Sequence, residues 1–172
     1  MTQTAPTSVV NALADRFWEG ILHLNPTLAT VYGDERYDDR LPDPGPAGRA
    51  AGRELCTTTL RAAEAIPETG LSVEERITRD MLTVACELRL TELDQRWEIL
   101  ESVDQMAGPQ TLLPDIATFQ RADTPERLER FLARVAAYPA YIGAISDLVR
   151  EGAATGLTQP PIIVERTIAQ LE

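Results

Sequence analysis

Where apolar residues recur in this chain, they recur at intervals of three and four. That spacing leaves the amphipathic helix as nearly the only regular structure available. Val10, Leu13, Phe17, Ile21 and Leu24 set up the first stripe, and Trp18 and Leu22 widen it. Ser8 stands before it as a helix N-cap. Asn25-Pro26 closes that helix and opens a short one that stops at Gly33. A helix rich in Ala, Arg and Leu is expected from about Ala47 to Ile66, with a turn over Pro67 to Gly70. Ser72-Val73-Glu74-Glu75 is a capping box. The helix it opens should run to about Leu93, with Ile77, Met81, Val84, Leu88 and Thr91 as its buried face.

Trp97, Ile99 and Val103 alternate with polar residues, which leaves a short extended segment open as an alternative to helix between Trp97 and Met106. After the Gly108-Pro109 breaker, a helix is expected around Gln110 to Phe119, broken by Pro114. Asp123-Thr124-Pro125-Glu126 starts the next one, with Leu128, Phe131, Leu132 and Val135 as its stripe. Pro139 should interrupt it. Tyr141 to Ala153 resumes the pattern through Ile142, Ile145, Leu148 and Val149, and Gly156 ends it. Pro160-Pro161 opens a last helix marked by Ile163, Ile168 and Leu171. No Gly, Asn or basic turn closes that helix, so the natural chain is expected to continue past Glu172.

The fold expected is therefore all-α, an irregular array of about seven to nine helices. Residues 1–172 form a single helical domain or one lobe of a larger helical protein, truncated at its C-terminus. Residues 34–46 form an irregular loop. Aromatic residues make up 5% of the chain, so the core must rest on Leu, Ile, Val and Ala, which suits close-packed helices.

Charge and residue types narrow the function. The net charge is −11, which repels phosphate backbones and anionic headgroups, so neither nucleic acid nor membrane is expected as a partner. All 16 basic residues are arginine, which excludes a Schiff-base or P-loop lysine. Met1 to Thr7 has no basic residue and no apolar run after it, and no stretch approaches membrane-spanning length. The expected location is cytoplasmic. Cys56 and Cys86 fall inside helical patterns, and reduced buried thiols are expected. Their helices should form an antiparallel hairpin with the two positions level, so a disulfide is geometrically open to them.

His23 is the single histidine. With it and two distant cysteines no ordinary zinc site can be assembled, and HExxH is impossible. No serine sits in a Gly-x-Ser-x-Gly turn and no glycine-rich phosphate loop occurs. The 27 carboxylates read as solvated helix faces and caps. No catalytic residue and no metal ligand is assigned.

One segment departs from this pattern. Between Gly33 and Asp43, Asp34, Arg36, Asp38, Asp39 and Arg40 crowd around Tyr37. Long loops in helical domains serve a ligand or a partner domain, or else they are fixed by their own polar groups. These six residues are the candidates for a substrate channel. Alternating Arg and Asp are normally self-satisfying, which favours an internal salt-bridge and capping network.

The runs Leu24-Asn25-Pro26-Thr27-Leu28-Ala29-Thr30, Gly33-Asp34 and Tyr37-Asp38-Asp39-Arg40-Leu41-Pro42-Asp43 resemble the opening of the bacterial domain of unknown function 885 family. Gln105-Met106-Ala107-Gly108-Pro109 and the stretch from Arg150-Glu151-Gly152 through Pro160-Pro161 to Ile168-Ala169-Gln170-Leu171 resemble later segments of it. The resemblance implies relatives roughly three times the length of a domain of this size. They look like helical members of the HExxH metallopeptidase group, with zinc held in a C-terminal half. By that implication this chain is a non-catalytic scaffold and substrate-channel wall. Its partners would be the rest of its own catalytic domain and a small peptide-like substrate. No cofactor is implied in this chain itself, and zinc is expected in full-length relatives. The alternative is a stand-alone helical interaction or oligomerisation module, for which a homo-oligomer is one form.

Overall fold

The computed structural model describes residues 8–172; Met1 to Thr7, read above for a leader, lies outside them. The described residues form eight α-helices and no strand: α1 (Val9–Leu24), α2 (Pro26–Val31), α3 (Pro46–Glu64), α4 (Val73–Asp94), α5 (Trp97–Glu101), α6 (Pro109–Phe119), α7 (Pro125–Thr155) and α8 (Pro161–Leu171). A single 3₁₀ turn, Glu35–Tyr37, stands in the loop before α3. The helix starts follow the capping chemistry of the sequence. Ser8 accepts from the Asn11 N–H, Asn25 from Leu28 and Thr124 from Arg127. Ser72 and Glu75 form the full reciprocal box. Gly33 and Gly156, at φ 81° and 77°, turn the chain left-handed just past α2 and α7, a conformation that costs a residue with a Cβ.

The helices pack in two groups. In the first, α3 and α4 form an antiparallel hairpin against α1. Its register shows in three pairings along its length: Arg79 reaches the Ile66 carbonyl, the Cys56 and Cys86 thiols meet, and Arg53 pairs with Asp94. Val10, Leu13, Ala63, Ile66 and Leu82 fill the space between. Cys56 and Cys86 are buried and carry no disulfide. Burial pushes both thiols up, Cys86 to about 12. The second group is α2, the 3₁₀ turn, α6 and α7, and α5 joins the two groups by packing on both α4 and α7. Arg96 makes that junction possible. Its backbone is left-handed, and its side chain bonds Glu98 at 2.5 Å and Glu151 of α7 at 2.6 Å.

Three expectations need correction, and one left open is resolved. First, Ile77, Met81, Val84 and Leu88 of α4 face outward, each more than half exposed; Leu82, Cys86 and Leu93 are buried instead. α4 carries apolar residues on two nearly opposite faces, and periodicity cannot tell which one meets α1 and α3. Second, Leu128 and Leu132 of α7 are exposed, while Arg134 is fully buried. Third, Pro114 and Pro139 lie inside continuous helices. A proline removes one backbone donor, and Ala136, Ala137 and Ala140 around Pro139 are strong helix formers that hold the rest of the ladder. In the stretch left open between Trp97 and Met106, Trp97–Glu101 is helical, with Ile99 buried against α7.

The two faces of α4 make a direct test. Leu82→Ala should lower the free energy of unfolding in urea by about 2–5 kcal/mol. Val84→Ala or Leu88→Ala should change it by less than about 0.5 kcal/mol. Equal losses at Leu82 and Leu88 would return the stripe to the interior.

Candidate functional site

Three arginines, Arg127, Arg130 and Arg134, recur at i, i+3 and i+7 on one face of α7. That face lies against the loop after α2, and the loop is built around it. Arg127 forms a two-pronged pair with Glu35, at 2.7 and 3.1 Å, and also holds Asp123 at 2.8 Å. Arg130 donates to the Glu35 carbonyl at 2.9 Å. Arg134 goes deepest. Its Nε donates to the Arg40 carbonyl at 2.7 Å, Nη1 to Gln120 Oε1 at 2.6 Å, and Nη2 to the Tyr37 carbonyl at 2.7 Å and Thr30 Oγ1 at 3.0 Å. The Thr30 hydroxyl donates onward to Asp38 Oδ1 at 2.6 Å, and Gln120 Nε2 donates to the Asp38 carbonyl at 2.9 Å. Arg134 and Asp38, 0% and 2% exposed, thus form a buried charge pair 3.8 Å apart, linked through one hydroxyl. Burial pushes the Arg134 guanidinium down and Asp38 and Asp39 pull it back up. Arginine starts so high that it stays charged.

The six loop residues fall into two groups around this clamp. Asp38 is inside it, and Tyr37 and Arg40 supply backbone carbonyls to it. Asp34, Arg36 and Asp39 are outside. Asp34 caps the 3₁₀ turn and grips Arg36, which reaches on to Glu19 of α1 at 2.8 Å. Asp39 pairs with Arg40 at 3.4 Å. The Tyr37 ring lies between the Arg36 and Arg40 guanidiniums, 5.3 and 5.5 Å from its centroid, with His23 at its edge. The loop's charges are therefore spent within the chain. Arg134 escaped the sequence reading because it sits beside an apolar stripe. The available signal was the arginine spacing on α7 set against an acidic loop of matching charge.

A separate concavity lies between α8 and the C-terminal half of α7. It is a cleft of about 850 Å³ walled by Ile142, Ile145, Val149, Val164, Ile168 and Leu171. Gln110, at the start of α6, lines it too, with its amide bonded to Gln170 at 2.8 Å. The Tyr138 hydroxyl, also on the wall, donates to the Pro109 carbonyl. No titratable pair converges in the cleft. Its rim charge, Arg150, is bonded to Asp147 at 2.6 Å.

A zinc ion does not fit these residues. His23 is exposed at the end of α1, and the cysteines are buried in the α3–α4 hairpin. Among the described residues no three His, Cys, Asp or Glu side chains are grouped to hold a metal ion. No described helix is long and apolar enough to cross a membrane.

The family model described as bacterial protein of unknown function (DUF885) matches residues 26–172, and the chain belongs to that family. The match begins at Pro26, whose carbonyl lies at the Arg134 clamp, and it covers both the clamp and the cleft. No curated protein matches the sequence.

Arg134→Ala should cost about 3–5 kcal/mol of unfolding free energy, because it leaves Asp38 buried without its counter-charge. Arg134→Lys should recover less than half of that loss, since an ammonium cannot reach four acceptors in one plane. Stability near that of wild type in Arg134→Lys would show that charge alone suffices. The clamp's outer carboxylates set an acid limit. Arg121 and Arg127 hold Asp123 down at about 2, and Arg127 and Arg36 hold Glu35 and Asp34 below their ordinary values. Folded pKa values below the unfolded ones mean stability that is complete above about pH 5 and lost as pH falls toward 2. The melting temperature should drop across that window, and Arg127→Gln should flatten the drop.

Proposed function

We propose that this chain is a non-catalytic scaffold and substrate-channel wall of a zinc-dependent peptidase or related hydrolase whose metal and general base lie outside it. The observation that carries the reading is the α7–α8 cleft. It is mostly apolar, with the amides of Gln110 and Gln170 and the hydroxyls of Tyr138, Ser146 and Thr167 among its walls, which suits the side chains and backbone of a peptide-like substrate. Its wall is also rigid, because α7 is one 31-residue helix fixed at its other end by Arg134.

The experiment is to read and express the coding sequence beyond codon 172. An in-frame HExxH-type motif is expected. The complete product should bind zinc and hydrolyse unstructured peptides. Ile145→Arg in the cleft should lower kcat/KM by about tenfold or more, as a buried charge does in an apolar subsite, without loss of zinc. A stop codon with no such motif, or a complete product that neither binds metal nor cleaves peptides, would overturn the reading.

The alternative is a helical interaction or oligomerisation module, and its interaction form has separate support in the outward apolar stripe of α4.

A further inference from the structure

We infer that the outer face of α4 is a docking seam for a helix with an apolar stripe and basic flanks, supplied by a partner and not by a second copy of this chain. Ile77, Met81, Val84 and Leu88 are 54%, 67%, 61% and 59% exposed. Their spacing of four, three and four is that of a coiled-coil seam. With Val73, 61% exposed, the stripe runs from residue 73 to residue 88, about 22 Å at 1.5 Å per residue. It faces away from Leu82, Cys86 and Leu93, which pack on α1 and α3. The core therefore does not need these residues. Singly exposed apolar residues are ordinary, whereas an ordered row of this length is a mark of an interface.

The edges of the seam select the occupant. Glu74 flanks it on one side near its start, and Glu87 on the other near its end; both are exposed and neither has an ion-pair partner among the described residues. Asp80 and Asp94 add acid on the Glu87 side, bound to Arg79 and Arg53, and Arg76, exposed one turn before Asp80 on that side, offsets part of it at the start of the seam. An antiparallel second copy centred between Met81 and Val84 would set Asp80 and Glu87 against Glu87 and Asp80 of its mate. A parallel copy would set Glu87 beside Glu92. Either arrangement brings like charges together across the seam, which destabilises pairing. The net charge of −11 adds long-range repulsion between copies. Arginine or lysine on the incoming helix would reverse each of these terms.

The test uses the 172-residue chain and two labelled 18-residue stapled helices. Both carry Leu and Ile at seam positions; one has Arg at the flanks, the other Glu. By fluorescence anisotropy at low salt, the Arg-flanked helix should bind at least about tenfold tighter, with the gap narrowing as salt rises. Glu74→Lys with Glu87→Lys should invert that preference. Met81→Asp with Leu88→Asp should abolish binding while leaving the melting temperature near wild type, because both sites are on the surface. Three results would overturn the proposal: equal affinity for the two helices, binding that survives the seam variant, or a dimer by light scattering that the seam variant dissolves.

Discussion

The fold of the second helical group depends on one buried guanidinium. Arg134 of α7 bonds to α2, the loop and the residue after α6 at once, through Thr30, Tyr37, Arg40 and Gln120. Loops carry backbone carbonyls that must find donors when they are covered. Here two of them, on Tyr37 and Arg40, are satisfied by a single side chain. A planar fork with five donors suits this task in a way no other side chain does. The charge it brings inside is balanced by Asp38, and the desolvation of both is offset by the surrounding hydrogen bonds.

That arrangement explains how an irregular loop with no fully buried apolar side chain can lie between helices. Tyr37 is its one large ring, and it stacks with arginines at the surface. Order in the loop comes from polar groups with fixed geometry. The outer pairs, Arg127 with Glu35 and Arg36 with Asp34 and Glu19, are partly or largely exposed and contribute less each. Their role is to set the register in which Arg134 meets its acceptors. Stability in this part of the molecule is thus sensitive to acid, whereas the α1–α3–α4 layer is held chiefly by apolar contacts among Val10, Leu13, Ala63 and Leu82.

The sequence made most helix boundaries readable because they are written locally. Ser8, Asn25, Ser72, Thr124 and Gly156 each act on their own turn of backbone. What could not be read was long-range. Whether Leu82 or Met81 is inside depends on where α1 and α3 sit, and α4 offers apolar residues to both sides. Pro139 has a local meaning, a missing donor, which the alanine-rich flanks outweigh. Arg134 lies among Phe131, Leu132 and Val135 in sequence, and nothing local distinguishes a snorkelling arginine from one that is swallowed. The loop composition was legible as a network, but its central partner lies 96 residues after Asp38.

The length of α7 ties these observations together. At 31 residues it extends about 46 Å, with the clamp in its first half and the apolar cleft along its second. A helix of that length anchored only by a cleft would be free to shift, because α8 meets it across a concavity and not across a packed seam. Anchoring the first half with a buried charge network, and the second through Gly152 against Ile99 of α5, fixes the rotation of the helix about its own axis. That rotation decides whether Ile142, Ile145 and Val149 point into the cleft. The residues that shape the cleft and those that hold it in place are therefore different residues on one rigid rod. The arginine clamp, which touches no part of the cleft, is the device that orients its wall.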